Sequence, residues 1–382
     1  MRIQSLTLEH FRSHDRRTFD FTKGDLHLFV GQNGSGKTNI LEAISILSHG
    51  SSCLGCEEQD LPTWGTEYFR VGADAVFDAG DPQKIEVFSQ ITPRKQKAAF
   101  VNGVRCPVSS IVGMLPTVLF LPQDLYLFTG PPSERRRFLD QILIQVSPEY
   151  HAAHAAYQKI VRQRNTLLKN ITEGLAKAGD LAVWDAQVAE HGSIITLHRL
   201  ELMETFGLTL RDEMRSFGER PETVRVRYIR KGEKRERAAL TEELRGLLLH
   251  YRERDILLQS TTIGPHRDDW HLDVDGRALE SFASRGQQRT AVLALLFLQV
   301  SFLTIRRGET PVILLDDVFS ELDDRHQEGV LASFAGHQVL ITTTHAPKQL
   351  STAIVWDMQT LVGDTPERTK AAPNTNERTR VQ

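Results

Sequence analysis

The sequence predicts an α/β chain: a mixed sheet with helices and an antiparallel meander, interrupted by a mostly helical second lobe. Three observations predict it. An apolar stretch at 26–30 runs into a glycine-rich loop and then into helical spacing at Ile40, Leu41, Ile44 and Leu47. Residues 68–106 hold three strand-like segments. From Ser133 the pattern becomes helical, and strand signals return only after residue 256. The expected units are 1–125 and 257–363 for the two parts of the α/β lobe, 126–256 for the insertion, and 364–382 for a disordered tail.

The elements follow in order. Residues 2–8 alternate polar and apolar, as a half-buried strand does. The segment ending at Cys106 carries Asn102-Gly103, the favoured pair for a tight hairpin turn. Residues 115–121 read as a short apolar strand ended by Pro122. Much of 148–216 has amphipathic helical spacing and few turn signals. Residues 220–237 are strand-like and basic, with eight Lys and Arg against three Glu. Residues 311–316 and 337–342 are further strands. The apolar run 290–305 includes Gln299, Ser301 and Thr304 and falls short of the ~20 residues that span a bilayer, so it reads as a buried helix. With no apolar leader at the start, a cytoplasmic protein without a membrane role is expected.

Composition sets limits. The 382 residues carry 46 Lys and Arg against 49 Asp and Glu, a net charge of −3. Any nucleic-acid surface must therefore be local or assembled from two subunits. Three cysteines in such a length point away from a disulfide framework. Cys53 and Cys56 have the spacing of half a zinc site but no second pair, and read as loop or core residues.

The stretch Gly31-Gln32-Asn33-Gly34-Ser35-Gly36-Lys37-Thr38 fills every fixed position of a phosphate-binding loop. Its glycines let the backbone wrap a phosphate, and the helix behind adds its positive end. Lys37 is placed to reach the β- and γ-phosphates of a nucleotide, and Thr38 to ligate Mg²⁺. Such a loop needs a carboxylate on a neighbouring strand, and Asp316 ends the apolar run 312–315. Asp317 follows, placed to orient or deprotonate water. Gln123 and His345 also stand just past strand ends, where ligands bind in open α/β sheets. Ser284, Gly286 and Gln287 open the helix at 290–305 as a second anion-binding helix start.

Together these motifs resemble the ABC-type ATPase heads of the SMC group. Glu9-His10-Phe11-Arg12-Ser13, the stretch 133–140 (SERRRFLD), the stretch 264–269 (GPHRDD), SRGQQR at 284–289 and LLDDVFSELD at 314–323 narrow the resemblance to the RecF family of recombination mediators. It implies ATP and Mg²⁺ as cofactors, with Gln123 sensing Mg²⁺ and the γ-phosphate, Asp316 as metal carboxylate, Asp317 as catalytic carboxylate, and His345 near the γ-phosphate. Residues 320–323 would meet a partner subunit. Ser284, Gly286 and Gln287 would cover a nucleotide held by a second copy, making an ATP-dependent homodimer. Many such heads carry Glu at the catalytic position; Asp317 is shorter, so slow hydrolysis is expected.

The implied function is a weak, DNA-stimulated ATPase in DNA repair, replication, recombination and the SOS response. ATP would close the dimer on double-stranded DNA at gaps or duplex/single-strand junctions. RecR, with RecO, would be the partner, and RecA the indirect beneficiary. Arg162, Arg164 and Lys169, with Arg225, Arg227, Arg230 and Lys231, are the candidate DNA contacts, because phosphates call for Lys and Arg on one connected face. Arg135, Arg136 and Arg137 are expected to brace the junction between lobes instead. The alternative is a nucleotide-switched scaffold or sensor that does not act on DNA.

Overall fold

The computed structural model describes residues 1–320, 322, 324–345 and 352–362. The expected tail, 364–382, and the partner-loop residues Glu321 and Asp323 lie outside the described residues. In chain order the first half runs β1 (Arg2–Phe11), β2 (His14–Asp20), β3 (Leu26–Val30), α1 (Lys37–His49), β4 (Tyr68–Val76), β5 (Pro82–Gln90), β6 (Gln96–Val101), β7 (Val104–Cys106) and β8 (Thr117–Phe120). Helices α2 (Pro132–Val146), α3 (Pro148–Thr172) and α4 (Leu181–Ser216) follow, then β9 (Val224–Ile229), α5 (Arg237–His250) and α6 (Arg252–Leu258). The chain continues with β10 (Asp269–Val274), β11 (Arg277–Ala278), α7 (Leu279–Phe282), α8 (Arg285–Arg307), β12 (Val312–Asp316), α9 (Asp324–Ser333), β13 (Val339–Thr343), β14 (Ile354–Asp357) and α10 (Met358–Val362).

Three sheets result. The meander forms one in the order β2-β1-β4-β5-β6-β7. Its final segment is split by Asn102-Gly103, whose positive φ values of 51° and 79° turn β6 back as β7. The second sheet, β14-β3-β13-β12-β8, pairs in parallel at every junction. Strands β8, β12 and β13 are buried along their whole length, as a parallel sheet covered on both faces requires. Helix α1 lies between these two sheets. Its Ile40, Leu41, Ile44 and Leu47 pack with Leu8, Val71 and Val87 of the meander and Leu314 and Leu340 of the parallel sheet. Helix α8 is buried without a break from Thr290 to Val300, as its apolar run suggests, and packs against α4, α2 and β8. By length and composition alone it could cross a bilayer, but most of it is buried inside the protein.

The third sheet, β11-β10-β9, crosses the expected boundary at 256/257. Strand β9 pairs with β10 from Val224↔Val274 to Ile229↔Asp269. The boundary would thus pass between hydrogen-bonded strands. Sequence distance hid the pairing, which closes across α5 and α6.

Buried arginines tie the helices together. Arg164 of α3 is fully buried and bonds Asp185 of α4 at 2.8 Å and Asp255 of α6 at 2.7 Å. Arg199 of α4 bonds Asp140 of α2 at 2.7 Å and the Pro265 carbonyl at 2.7 Å. Arg135 forms a two-bond fork with Asp269 at 2.7 and 2.8 Å, joining α2 to β10.

Burial raises the Asp140 pKa, but Arg199, with His154 and Tyr150, outweighs it and holds the carboxyl at about 2. The folded value lies below an unfolded value of about 3.9, so the ionised form stabilises the fold. That contribution is present above pH ~4 and is lost as pH falls through about 2. In urea unfolding, the stability gap between wild type and Asp140→Asn should shrink by about 2 kcal/mol between pH 5 and pH 2, with the remainder lost below it. A gap that stays constant over that range would reject the ion-pair account.

Candidate nucleotide site

Parallel pairing brings four strand ends to one edge. There β3 feeds the loop 31–36, β12 ends at Asp316, β13 leads to His345, and β8 leads to the exposed Gln123. The sheet thus gathers the sequence-predicted residues of the P-loop and its neighbours at one edge.

The loop depends on its glycines. Gly34 and Gly36 have φ of 84° and 86°, the left-handed region that L side chains rarely adopt. A Cβ on Gly36 would also lie 2.5 Å from Ser13 Oγ, and one on Gly31 would lie 2.7 Å from Ser35 Oγ. Lys37 opens α1 and is buried. Its Nζ donates to the carbonyls of Gly31 at 2.7 Å and Gln32 at 2.9 Å. Burial lowers its pKa, opposed by the charges of Asp317 and Asp316. Ser35 Oγ is buried with no hydrogen-bond partner among the described residues. A cradle of backbone, a buried ammonium and an unused hydroxyl donor fit a polyphosphate.

The carboxylate side is equally organised. Thr38 Oγ1 donates to Asp316, with its two oxygens at 2.9 and 3.1 Å. Thr342 Oγ1 donates to the same carboxylate at 2.5 Å. The Asp317 N–H points back at Thr342, 3.0 Å from both its carbonyl and its hydroxyl oxygen. Asp317 takes φ of 46°, so its side chain leaves the strand at a turn rather than continuing the pleat. Among the described residues no group of three or more His, Cys, Asp or Glu gathers to hold a metal. A hydroxyl and one carboxylate suit Mg²⁺, which takes its remaining oxygens from phosphates and water.

Sequence reasoning missed the brace under the loop. The turn between β1 and β2 sets His14 Nε2 3.2 Å from the Gly36 carbonyl, and Asn39 donates to Ser13 Oγ at 2.9 Å. Burial lowers the His14 pKa. Ser13 lay within a noted stretch, but neither residue belongs to a motif whose chemistry names it. Thr342 was equally silent, one threonine in a run of three.

The α8 start stands apart. Ser284 Oγ accepts from the Gln287 N–H at 3.2 Å, and Gln287 Oε1 accepts from the Ser284 N–H at 3.0 Å. This reciprocal capping box leaves Arg285 and Gly286 as the open N–H positions of the first turn. Ser284, Gly286 and Gln287 are exposed, and the cap's further side-chain bond reaches Glu219 at 3.5 Å, not the P-loop.

The basic candidates divide. Arg162, Lys169, Arg225, Arg227 and Lys231 are exposed. Arg227 is paired with Asp273, Lys169 stands 3.9 Å from Glu173, and Lys231 lies 3.9 Å from the Tyr251 ring centre. Arg164 is corrected: its guanidinium is spent inside the helical layer and cannot reach a phosphate. Arg230 is corrected too, with a side chain only 6% exposed and bonded to Glu243 at 2.7 Å. Amphipathic spacing locates a helix face but does not say which charge is buried on it. Cys53 is half-buried, and burial pushes its thiol up to about 12; Cys56 is exposed.

The sheet, the loop and the paired aspartates define a P-loop nucleotide-binding head of the ABC type. The family described as RecF/RecN/SMC N terminal domain matches residues 2–369. The DNA replication and repair protein RecF of Heliobacterium modesticaldum is 35% identical over 94% of this chain and 98% of its own. That of Symbiobacterium thermophilum is 38% identical over 90% and 92%. The solved recombination mediator protein RecF with ATPrS, of the RecFOR pathway, aligns with a TM-score of 0.85 at 30% identity, covering 92% of this chain and 94% of that one. The chain belongs to the RecF family of DNA replication and repair proteins.

Replacing Lys37 with Ala should weaken binding of a fluorescent ATP analogue ten- to about a hundredfold, the worth of charge-assisted bonds to phosphate. Gly36→Ala should do at least as much damage through φ and the Ser13 clash. Wild-type affinity in both variants would place the nucleotide elsewhere.

Proposed function

We propose that this chain is an ATP-switched, DNA-binding mediator of DNA repair and replication that works in the cytoplasm as a homodimer. Two P-loop heads close with ATP between them, each nucleotide lying against the Ser284, Gly286 and Gln287 start of the other subunit. The closed pair clamps double-stranded DNA at gaps or junctions, and hydrolysis releases it. RecR, with RecO, is the partner through which RecA is loaded. The observation that carries the reading is the exposed, capped start of α8, whose side-chain bonds go to its own cap and Glu219 rather than to the P-loop.

Within each site the residues have distinct work. Lys37 and the loop N–H groups bind the phosphates, with Ser35 Oγ as a further donor. Thr38, Asp316 and Gln123 would hold Mg²⁺, which neutralises phosphate charge when bound. Asp317 orients or deprotonates the attacking water, and His345 stands by the γ-phosphate. Thr342 positions both aspartates through its side chain and backbone. The short Asp317 side chain supports a slow step, below about 10 turnovers per second.

Light scattering with and without ATP tests the dimer. Wild type should double in mass with ATP, and Ser284→Arg should stay monomeric while keeping ATP affinity. A wild type that stays monomeric at every concentration ends the clamp reading. For DNA, Arg162→Glu with Arg225→Glu should weaken duplex binding and flatten its salt dependence by about 0.9 in slope per lost phosphate contact. Unchanged affinity would remove both arginines from the footprint.

A further inference from the structure

A cavity of about 540 Å³ opens between α2, α3, α4, the segment after α1 and the turn at Pro265. No residue of the nucleotide site lines it. Three arginines, Arg136, Arg137 and Arg199, face it against one carboxylate, Asp140. Two of these arginines are satisfied. Arg199 is bonded to Asp140 and the Pro265 carbonyl, and Arg137 donates to Glu134 at 2.6 Å.

Arg136 differs. Half-buried, it donates from Nη1 to the Asp268 carbonyl at 2.9 Å and forms no ion pair with a described carboxylate. A guanidinium has five N–H donors in a planar fork, so one bond leaves most of the capacity of this cavity-lining residue for a ligand. Desolvation, with the like charge of Arg199, lowers its pKa, against the nearby charges of Asp269, Asp140 and Asp268. Neutral donors stand on the same walls, the Ser133 hydroxyl and the Gln141 and Gln158 amides. Ile144, Ile195 and the buried Tyr157 ring supply an apolar wall, and His49, His154 and His266 also line the cavity. A few convergent polar groups against an apolar wall, at this volume, suit a small organic ligand.

We propose that this cavity binds a small phosphorylated organic molecule, its phosphate on Arg136 and its carbon skeleton against Ile144, Ile195 and Tyr157. A phosphate has oxygens enough to take the guanidinium fork and the neutral donors together. The inference does not rest on the clamp reading and fails or stands apart from it.

Phenyl phosphate is the probe, titrated by calorimetry into the full chain carrying Lys37→Ala, so that P-loop binding is suppressed. Saturable binding is expected, weakened at least about tenfold by Arg136→Gln, the cost of losing a charged donor. Ser133 is exposed at the start of α2, and Ser133→Glu should weaken binding comparably by like-charge repulsion without disturbing the core. That second variant decides the matter if Arg136→Gln does not fold. Phenol should bind far more weakly than phenyl phosphate. No saturable binding up to about 10 mM, a Kd too weak to matter, would overturn the proposal. So would unchanged affinity in Ser133→Glu, or phenol binding as well as its phosphate ester.

Discussion

The Asp316 carboxylate, gripped by the hydroxyls of Thr38 and Thr342, is the contact on which the nucleotide site depends. It joins residues 278 positions apart in the chain. The parallel register pairs Asp316 with Thr342, so the β13 hydroxyl meets the β12 carboxylate without any adjustment of the sheet. Thr38 is the second residue of α1, so the same contact sets the height of the P-loop helix over the strand ends. A buried carboxylate left without donors would cost several kcal/mol. The site is therefore held in shape by the same groups that are proposed to hold Mg²⁺, and Thr342 also holds the backbone N–H of Asp317.

The helical layer is held by a different device. The buried Arg135, Arg164 and Arg199 each join elements far apart in sequence through carboxylates that are buried or half-buried. Such pairs add little net stability, because desolvation offsets most of the attraction, yet breaking one is expensive. They act as registration pins rather than as adhesive. Gly264 shows the precision involved: with φ of 124°, it sits where any Cβ would run into the Tyr157 hydroxyl. The next carbonyl, that of Pro265, accepts from Arg199 at 2.7 Å.

What was legible in the sequence was local. The P-loop could be read because its chemistry is written in eight consecutive residues, and Asp316 because an apolar strand announces its own end. The Asn102-Gly103 turn was readable because two adjacent positive φ values demand those residue types. Arg164 was misread for the complementary reason: its two carboxylate partners lie 21 and 91 residues away, and no local pattern encodes them. The β9–β10 pairing and the His14 brace were hidden in the same way. Both depend on where the chain returns, which periodicity does not report.

Helix α8 connects the two devices. Its start is exposed and capped, while its body is packed against β8, which leads to Gln123, and against α4, which carries Arg199. Close-packed interiors move as units rather than yielding locally. A load placed on the first turn of α8 therefore bears on both the strand ends and the helical layer. Under the proposed dimer, that load is the other subunit's nucleotide. The exposed basic residues of α3 and β9 ride on elements that pack against α4. On the same proposal, nucleotide state would reach these exposed basic residues through α8 and α4.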